Sequence, residues 1–343
     1  MQRSRIMGLA AFAAAAALTL AACGGSSSSG GTGTSSSAGF NAAATGVVNP
    51  SSHKSSGTIS FGLSSTPDST DPANTYYAFM WNFTRLYTMP LMTYKSCPGS
   101  CGLQVVPDLA TGPGVVSDNG LTWTYHIQPD VKFSDGTTVT SQDVKYAVER
   151  TFDRTLYPLG PAYYTFLLGG NAKTYPGPYK DPAKNKFGLT AVDTPNATTI
   201  VFHLAAPFAD FNYVAAIPQS APVPPAKDTG ANYQLNPVST GPYKFQSYQL
   251  NKQLTLVPNT FWKQSTDPNA HQLVSKVTVT MNMNANDIDN RLLAGDLDVD
   301  MAGTGVQAAA RAKILSSHTL QASSDNPISG FLWYASSTPR WRR

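Results

Sequence analysis

The sequence predicts an α/β fold, because segments with the two-residue alternation of β-strands are interleaved with segments of helical periodicity. The clearest strands by this criterion are Gly57–Leu63 and Leu121–Gln128. The clearest helix is Asn286–Leu293, which is followed by Gly295, a residue type favoured just after a helix C-terminus. Further alternating segments predict strands at Thr199–Leu204, Lys244–Tyr248, Gln253–Pro258 and Val277–Met281.

Residues 106–150 contain the most regular succession of local signals. Asp118-Asn119-Gly120 predicts a turn, since Asn and Gly tolerate positive φ. The strand that follows has its apolar side chains at Leu121, Trp123, Tyr125 and Ile127. Asp135-Gly136 predicts a hairpin turn, and Thr140 with Asp143 three residues later predicts a helix N-terminus.

Three other segments have weaker signals. Tyr76–Leu86 carries aromatic residues at helical spacing, and Phe211–Ile217 predicts a short helix. Leu156–Asn196 is rich in Tyr, Pro, Gly and Lys, so we expect irregular structure there.

Taken as a string, residues 106–150 resemble family 5 of the extracellular solute-binding proteins of ABC importers, the dipeptide- and oligopeptide-binding group. The resemblance extends, with gaps, from about Gly57 to Met301. Blocks similar to the family pattern are Pro107–Ala110, Asn119–Trp123, Val131–Gly136, Val139–Val144, Arg150, Ser239–Tyr243 and Ala294–Asp300. The departures are small, with Tyr125 in place of a Phe and Gln128 in place of an Arg.

The resemblance implies an α/β fold of the type II periplasmic-binding-protein-like kind, one lobe with a mixed sheet plus an inserted α+β subdomain. Residues 57–74 and 196–302 are expected to form the first ligand-binding lobe, and residues 75–195 the inserted subdomain. Residues 303–343 are expected to begin the second lobe. Because family members are typically much longer than 343 residues, we expect that lobe to be largely absent through C-terminal truncation. The alternative is a short form with a basic tail.

The N-terminus predicts export and anchoring. A pair of arginines precedes the apolar stretch Ile6–Leu20, which is too short to span a bilayer comfortably and suits a signal peptide. The sequence ending at Cys23 is similar to a bacterial lipobox, so Cys23 is the expected lipidation site; the alternative is an ordinary signal peptide with a chance cysteine. Residues 1–23 are therefore a predicted lipoprotein signal peptide. Residues 24–56, rich in Gly and Ser, are a predicted disordered tether.

The two other cysteines, Cys97 and Cys101, flank a Pro-Gly-Ser loop and predict a disulfide in an oxidising exterior. A metal-binding pair is the alternative, but no further Cys or His stands at zinc spacing. The formal net charge is +4 and no basic stripe is present, so no nucleic acid partner is expected.

Catalytic motifs are absent from the sequence, with no H-E-x-x-H, G-x-S-x-G or G-x-x-x-x-G-K-[ST]. His126 and His203 stand in strand patterns and are expected to be ordinary strand residues. Asp296, Asp298 and Asp300 share one strand face and suggest a cation site, although the family's step into a buried strand explains them without a metal. We expect no enzyme activity, no catalytic residues, no metal and no cofactor.

The resemblance implies a substrate-binding lipoprotein on the extracytoplasmic face of the cell membrane. It would capture a peptide or related small solute for an ABC permease and ATPase, and it would be a monomer. Residues at strand ends that flank a cleft are the expected ligand contacts. These are Ser65, Thr66, Tyr77, Trp81 and Met301.

Alternatives remain open at this point. The chain could be a sensory or signalling lipoprotein, a secreted enzyme that reuses the fold, or a fragment without function. Dipeptide, oligopeptide, nickel chelate and oligosaccharide binders share the pattern, so the ligand is not determined. For the aromatic residues Tyr76, Tyr77, Phe79 and Trp81, core packing is the alternative to a ligand contact.

Overall fold

The computed structural model describes residues 54, 56–97, 99–183 and 185–316. The helices are α1 (Ala78–Thr84), α2 (Ser141–Arg150), α3 (Tyr163–Leu167), α4 (Phe211–Ala215), α5 (Ala285–Ala294) and α6 (Ala308–Leu315). The strands are β1 (Thr58–Gly62), β2 (Met92–Tyr94), β3 (Val105–Pro107), β4 (Val115–Ser117), β5 (Thr122–His126), β6 (Val192–Asn196), β7 (Thr199–His203), β8 (Tyr243–Gln249), β9 (Gln253–Pro258), β10 (Lys276–Thr280) and β11 (Val299–Asp300). The predicted signal peptide, Cys23 and nearly all of the predicted tether lie outside the described residues.

The first sheet is mixed and has the strand order β11-β1-β10-β9-β8. Strand β1 pairs in parallel with β10 along its whole length and with β11 at its end. Strand β9 pairs antiparallel with both β10 and β8. The predicted α/β class with a mixed sheet is therefore confirmed. The three parallel strands β1, β10 and β11 have their C-terminal ends on the same side of the sheet, which we call the carboxyl edge.

The second sheet is antiparallel with the order β4-β5-β7-β6. Trp123, Tyr125 and Ile127 are buried, as the alternation of the sequence predicts. They belong to a hydrophobic cluster that also contains Phe202 and Phe211, whose ring centroids lie 5.3 Å apart. A separate cluster packs on the first sheet and is built around Tyr87, Phe245 and the β9 and β10 side chains.

Helix α2 begins where the sequence predicts. Asp143 Oδ2 accepts hydrogen bonds from the backbone N–H and the hydroxyl of Thr140, each at 2.7 Å. These bonds satisfy groups at the helix N-terminus that lack intrahelical partners. Every residue of α2 except Gln142 is buried, so the helix is an internal element and its charged residues need partners inside the protein.

The segment Leu156–Asn196, expected to be irregular, contains helix α3 and strand β6. The sequence of β6 is polar and includes Pro195, which cannot donate to a strand ladder. Because β6 is an edge strand paired only with β7, the proline is tolerated there. Because this segment is polar and contains a proline, its sequence does not have the apolar alternation that predicts a strand.

Strand β7 lies within residues 196–302, the range assigned to the first lobe, yet it pairs with β5 and β6 of the second sheet. The boundary between the sheets thus does not fall at residue 196. The division of the chain into a lobe and an insertion stays a prediction. Among the described residues, no helix combines the length and apolar character needed to cross a bilayer.

Candidate functional site

The carboxyl edge brings together residues that follow three different strands. Ser65 lies just after β1, Asn282 just after β10, and Met301 just after β11. The Asn282 N–H donates to the Ser65 carbonyl at 3.1 Å, and the Met301 N–H donates to the Gly62 carbonyl at 2.9 Å. Ser65 is exposed and Met301 is half-buried. Ligands of open α/β sheets bind outside such an edge, so it is the first part of the candidate site.

One carboxylate organises the loop that leaves this edge. Asp68 Oδ1 accepts from the N–H of Ser69 at 2.9 Å and from the hydroxyl of Thr75 at 2.8 Å. Its Oδ2 accepts from the N–H groups of Tyr76 and Tyr77. Four hydrogen bonds thus occupy Asp68 and hold the two tyrosines in place at the start of α1.

The tyrosines and Trp81 have different environments. Tyr77 is 49% exposed, whereas Trp81 is half-buried and packs against the hydrophobic cluster of the second sheet. The Trp81 Nε1–H donates to the Thr75 carbonyl at 3.0 Å, and its ring meets that of Tyr76 edge-on at 5.5 Å. Tyr77 has an extended backbone and directly precedes helix α1, which begins at Ala78. The Tyr77 ring contacts the Phe79 ring, with centroids 5.4 Å apart, and its remaining surface faces solvent, whereas Trp81 supports the loop.

A second segment packs on this loop and adds to the surface. The Leu159 N–H donates to Asn74 Oδ1 at 2.9 Å, and the hydroxyls of Tyr76 and Tyr163 lie 3.3 Å apart. A Cβ at Gly160 would lie 2.0 Å from a backbone oxygen of the loop, so only glycine allows this approach. Sequence reasoning missed Tyr163, because its segment was expected to be irregular and nothing local pairs it with Tyr76.

Below the loop, the buried Arg150 at the end of α2 binds two carboxylates. Its Nη1 and Nη2 donate to the two oxygens of Asp71 at 2.8 and 2.6 Å. Its Nε donates to Asp228 Oδ2 at 3.1 Å, and Nη2 also reaches the Tyr157 hydroxyl at 2.7 Å. The Tyr179 hydroxyl donates to Asp228 Oδ2 and completes the network. Asp71 belongs to the loop after β1, so the network fixes that loop to α2.

Electrostatics keep Arg150 ionised. Burial by itself lowers the pKa of Arg150, but the charge and hydrogen bonds of Asp71, with Tyr157 and Asp228, raise it well above its ordinary value. The rings of Tyr157 and Tyr233 each lie 4.7 Å from the guanidinium carbon, which adds cation–π attraction. Since the cation is fully occupied, it positions the loop and does not face a ligand.

Comparison with known proteins identifies the family. The model described as bacterial extracellular solute-binding proteins, family 5 Middle, matches residues 104–339. The chain belongs to this family. The resemblance predicted from the sequence is thereby confirmed, and with it the type II periplasmic-binding-protein-like fold.

Relatives of this family 5 chain have peptide-binding names. The probable D,D-dipeptide-binding periplasmic protein DdpA of Escherichia coli (strain K12) is 30% identical over 205 residues, which are 58% of this chain and 35% of that protein. The periplasmic murein peptide-binding protein MppA of the same organism is 31% identical over 218 residues, 57% of this chain and 38% of that protein. The solved structure of clavulanic acid biosynthesis oligopeptide binding protein 2 has 41% identity and a TM-score of 0.75, covering 79% of this chain and 48% of that one. The chain spans less than half the length of each.

Two of the three acidic residues in the segment Asp296–Asp300 accept hydrogen bonds from the backbone. Asp298 Oδ2 accepts from the Ser60 N–H at 2.7 Å, and Asp300 Oδ2 accepts from the Thr304 N–H at 2.8 Å. Within residues 54–316, gaps excepted, no group of three or more His, Cys, Asp or Glu residues could hold a metal ion. Asp298 thus binds the segment before β11 to β1, and Asp300 stabilises the turn that follows β11.

The remaining predicted positions lie on the second sheet and in the β2–β3 connection. Cys97 and Cys101 form a disulfide with a Cα–Cα distance of 5.7 Å. His203 Nε2 lies 2.9 Å from Asp193 Oδ2, and His126 Nδ1 lies 3.2 Å from a threonine hydroxyl. Both histidines are strand residues with a strand neighbour as partner.

Proposed function

We propose that this protein is the substrate-binding lipoprotein of an ABC importer, and that it captures a peptide or related small solute outside the membrane. The observation that supports this most is the carboxyl edge, where the residues that follow three strands, Ser65, Asn282 and Met301, lie together in a chain of family 5. The permease and ATPase of the importer would receive the solute. Cys23 would carry the lipid anchor on the extracytoplasmic face, and the protein would act as a monomer.

The same surface supports binding without catalysis. Its accessible groups are the exposed Ser65, the half-buried Thr66 and the half-exposed ring of Tyr77. They can donate hydrogen bonds or pack, but they do not activate a nucleophile. The nearby acidic and basic side chains of Asp68 and Arg150 already have partners. We therefore propose a binding protein without enzymatic activity, in which Ser65, Thr66 and Tyr77 contact the ligand and Met301 supports the edge.

The experiment is thermal unfolding of the purified chain with and without a pooled mixture of di- and tripeptides. A ligand that binds only the native state at 100 times its Kd stabilises that state by about 2.7 kcal/mol. For a chain of this size the entropy of unfolding is about 0.7 kcal/mol/K, so the expected rise in Tm is about 4 °C. A transition that no peptide pool shifts would contradict the proposal.

Substitutions at the candidate site test whether the peptide-induced rise in Tm comes from a ligand bound there. Tyr77→Ala and Thr66→Ala should reduce the peptide-induced rise in Tm while leaving the ligand-free Tm within a few degrees. The matched control is Phe261→Ala. Phe261 is 41% exposed, and because it follows β9, which runs antiparallel to β10, it lies at the end of the first sheet opposite the carboxyl edge. A loss of the shift in the control alone, or in none of the variants, would place the ligand elsewhere.

A further inference from the structure

The most exposed large apolar side chain in the described residues is that of Phe166, at 79%. It lies on α3 three residues after Tyr163, which is also exposed, so both rings are on one face of the helix. Burial of a phenylalanine is strongly favourable, and this one gains almost nothing from the protein's own core. Its ring is free to pack on another molecule.

This helix face is continuous with the candidate site. Tyr163 reaches the hydroxyl of Tyr76, and Tyr76 is followed directly by Tyr77 at the start of α1. Leu159, also exposed, is bonded through its backbone to the same loop. We call Tyr76, Tyr77, Leu159, Tyr163 and Phe166 the aromatic strip.

The side chains of the strip carry no charge, and the cation that flanks it, Arg154, donates from Nη2 to the Pro158 and Gly160 carbonyls and has its Nη1 buried. In the two segments that contribute to it, residues 64–77 and 157–167, the side chains with a formal charge are Asp68 and Asp71. Asp68 accepts four hydrogen bonds and Asp71 is buried against Arg150. A ligand on the strip therefore meets rings, a leucine and phenolic hydroxyls.

We propose that the aromatic strip selects peptides with an uncharged aromatic or large aliphatic side chain, an inference that rests on the proposed function. A carboxylate or ammonium placed there would lose hydration without gaining an ionic partner. A cationic side chain could be attracted to the ring faces, but at an exposed ring this attraction is weaker than burial of a whole aromatic side chain. The hydroxyls at the rim can bond the peptide backbone.

The test is calorimetric titration of the purified chain with Gly-Phe-Gly, Gly-Leu-Gly, Gly-Lys-Gly and Gly-Asp-Gly. The four peptides share their charged termini, so differences in Kd come from the central side chain. We expect Gly-Phe-Gly and Gly-Leu-Gly to bind about tenfold or more tightly than the two charged peptides. Phe166→Ala and Tyr163→Ala should reduce this ratio at least severalfold, and Phe261→Ala should leave it unchanged.

The outcomes separate this inference from the proposed function. Equal affinities for the four peptides, tighter binding of Gly-Lys-Gly, or a ratio that survives both strip substitutions would overturn the selectivity while leaving peptide binding intact. Binding of none of the four, together with no shift in Tm by the peptide pool, would overturn both. Because both substituted side chains are exposed, the circular dichroism spectrum and Tm of each free variant should match those of the parent chain.

Discussion

Glu149 and Arg150 are consecutive residues at the end of α2, both are fully buried, and their environments differ completely. Every nitrogen of the Arg150 side chain donates to an acidic or phenolic oxygen. Glu149, the only glutamate of the chain, accepts one hydrogen bond at Oε1, from the Leu189 N–H at 3.1 Å. Its Oε2 is buried without a hydrogen-bond partner, and Lys145 Nζ stands 3.9 Å from Oε1.

The difference shows that the available partners, more than burial, decide whether an internal group stays charged. Desolvation raises the pKa of Glu149 to about 8, against a smaller lowering by the Leu189 hydrogen bond and Lys145. Asp181 opposes ionisation as well. Arg150 undergoes the same loss of water, but Asp71 compensates for it. The C-terminal end of α2 thus contains a network of ion pairs around Arg150 and, at the adjacent residue Glu149, a carboxyl group that stays neutral.

The largest expected effect comes from breaking the network. Arg150→Met leaves Asp71 and Asp228 buried without their cation, and the loss of one partner of a buried pair typically costs about 3–5 kcal/mol. The free energy of unfolding, measured by urea denaturation at neutral pH, should fall by this amount. The loop that carries Asp68 and Tyr77 should loosen as well, visible as faster amide hydrogen exchange at residues 68–77.

Arg154→Met provides the matched control for this change. Arg154 is half-buried and donates only to the carbonyls of Pro158 and Gly160, at 2.9 and 2.8 Å. Its replacement strands no carboxylate, so about 1 kcal/mol is expected. If Arg150→Met costs no more than Arg154→Met, the network does not stabilise the fold as proposed.

The next effect concerns Glu149 and depends on pH. The pKa is near 8 in the folded chain, against 4.5 as the ordinary value, so the folded state keeps a proton that the unfolded state releases between these values. The contribution of protonated Glu149 to the free energy of unfolding is complete below pH 4.5. It is lost as the pH rises toward 8, by up to about 1.4 kcal/mol per pH unit. Glu149→Gln should remove this slope, as measured by urea denaturation across the interval.

Asp296→Asn is the control that tests whether replacing any carboxyl group would remove the pH dependence of the free energy of unfolding. Asp296 is exposed, so its replacement should leave the pH profile of the free energy of unfolding unchanged. A profile that is equally steep in the parent chain and in Glu149→Gln would mean that Glu149 is ionised in the folded protein, and the contrast with Arg150 would then be wrong.

Much of the fold could be predicted from sequence, because it depends on short-range patterns. Thr140 and Asp143 form their predicted pair three residues apart, and the alternation around Trp123 gives the buried face of β5. The convergence of Ser65 and Met301 follows from a general property of parallel strands, which end at one edge of a sheet. These features need only local spacing and one rule of topology.

The rest depends on contacts between distant residues, for which the sequence carries no local signal. Asp71 and Asp228 are 79 and 78 residues from Arg150 along the chain, and an arginine at the end of a helix is ordinarily exposed. Tyr163 meets Tyr76 across 87 residues. Periodicity cannot reveal such pairs, so both the network and three of the five residues of the aromatic strip become visible only in the folded chain.

The smallest expected effect separates the two ways in which tyrosines contact Arg150. Tyr157→Phe keeps the ring near the guanidinium and removes the hydroxyl that accepts from Nη2 at 2.7 Å and is also hydrogen-bonded to the Tyr179 hydroxyl. About 1–2 kcal/mol of stability should therefore be lost. Tyr233→Phe also keeps its ring near Arg150, and the hydroxyl that it removes accepts from the neutral Val238 N–H at 3.1 Å. Hydrogen bonds to a charged group are the stronger, so urea denaturation should show the larger loss for Tyr157→Phe. If the two losses are equal, the hydroxyl bonded to Arg150 contributes no more than one bonded to a neutral N–H, and the charge of Arg150 is compensated mainly by Asp71 and Asp228.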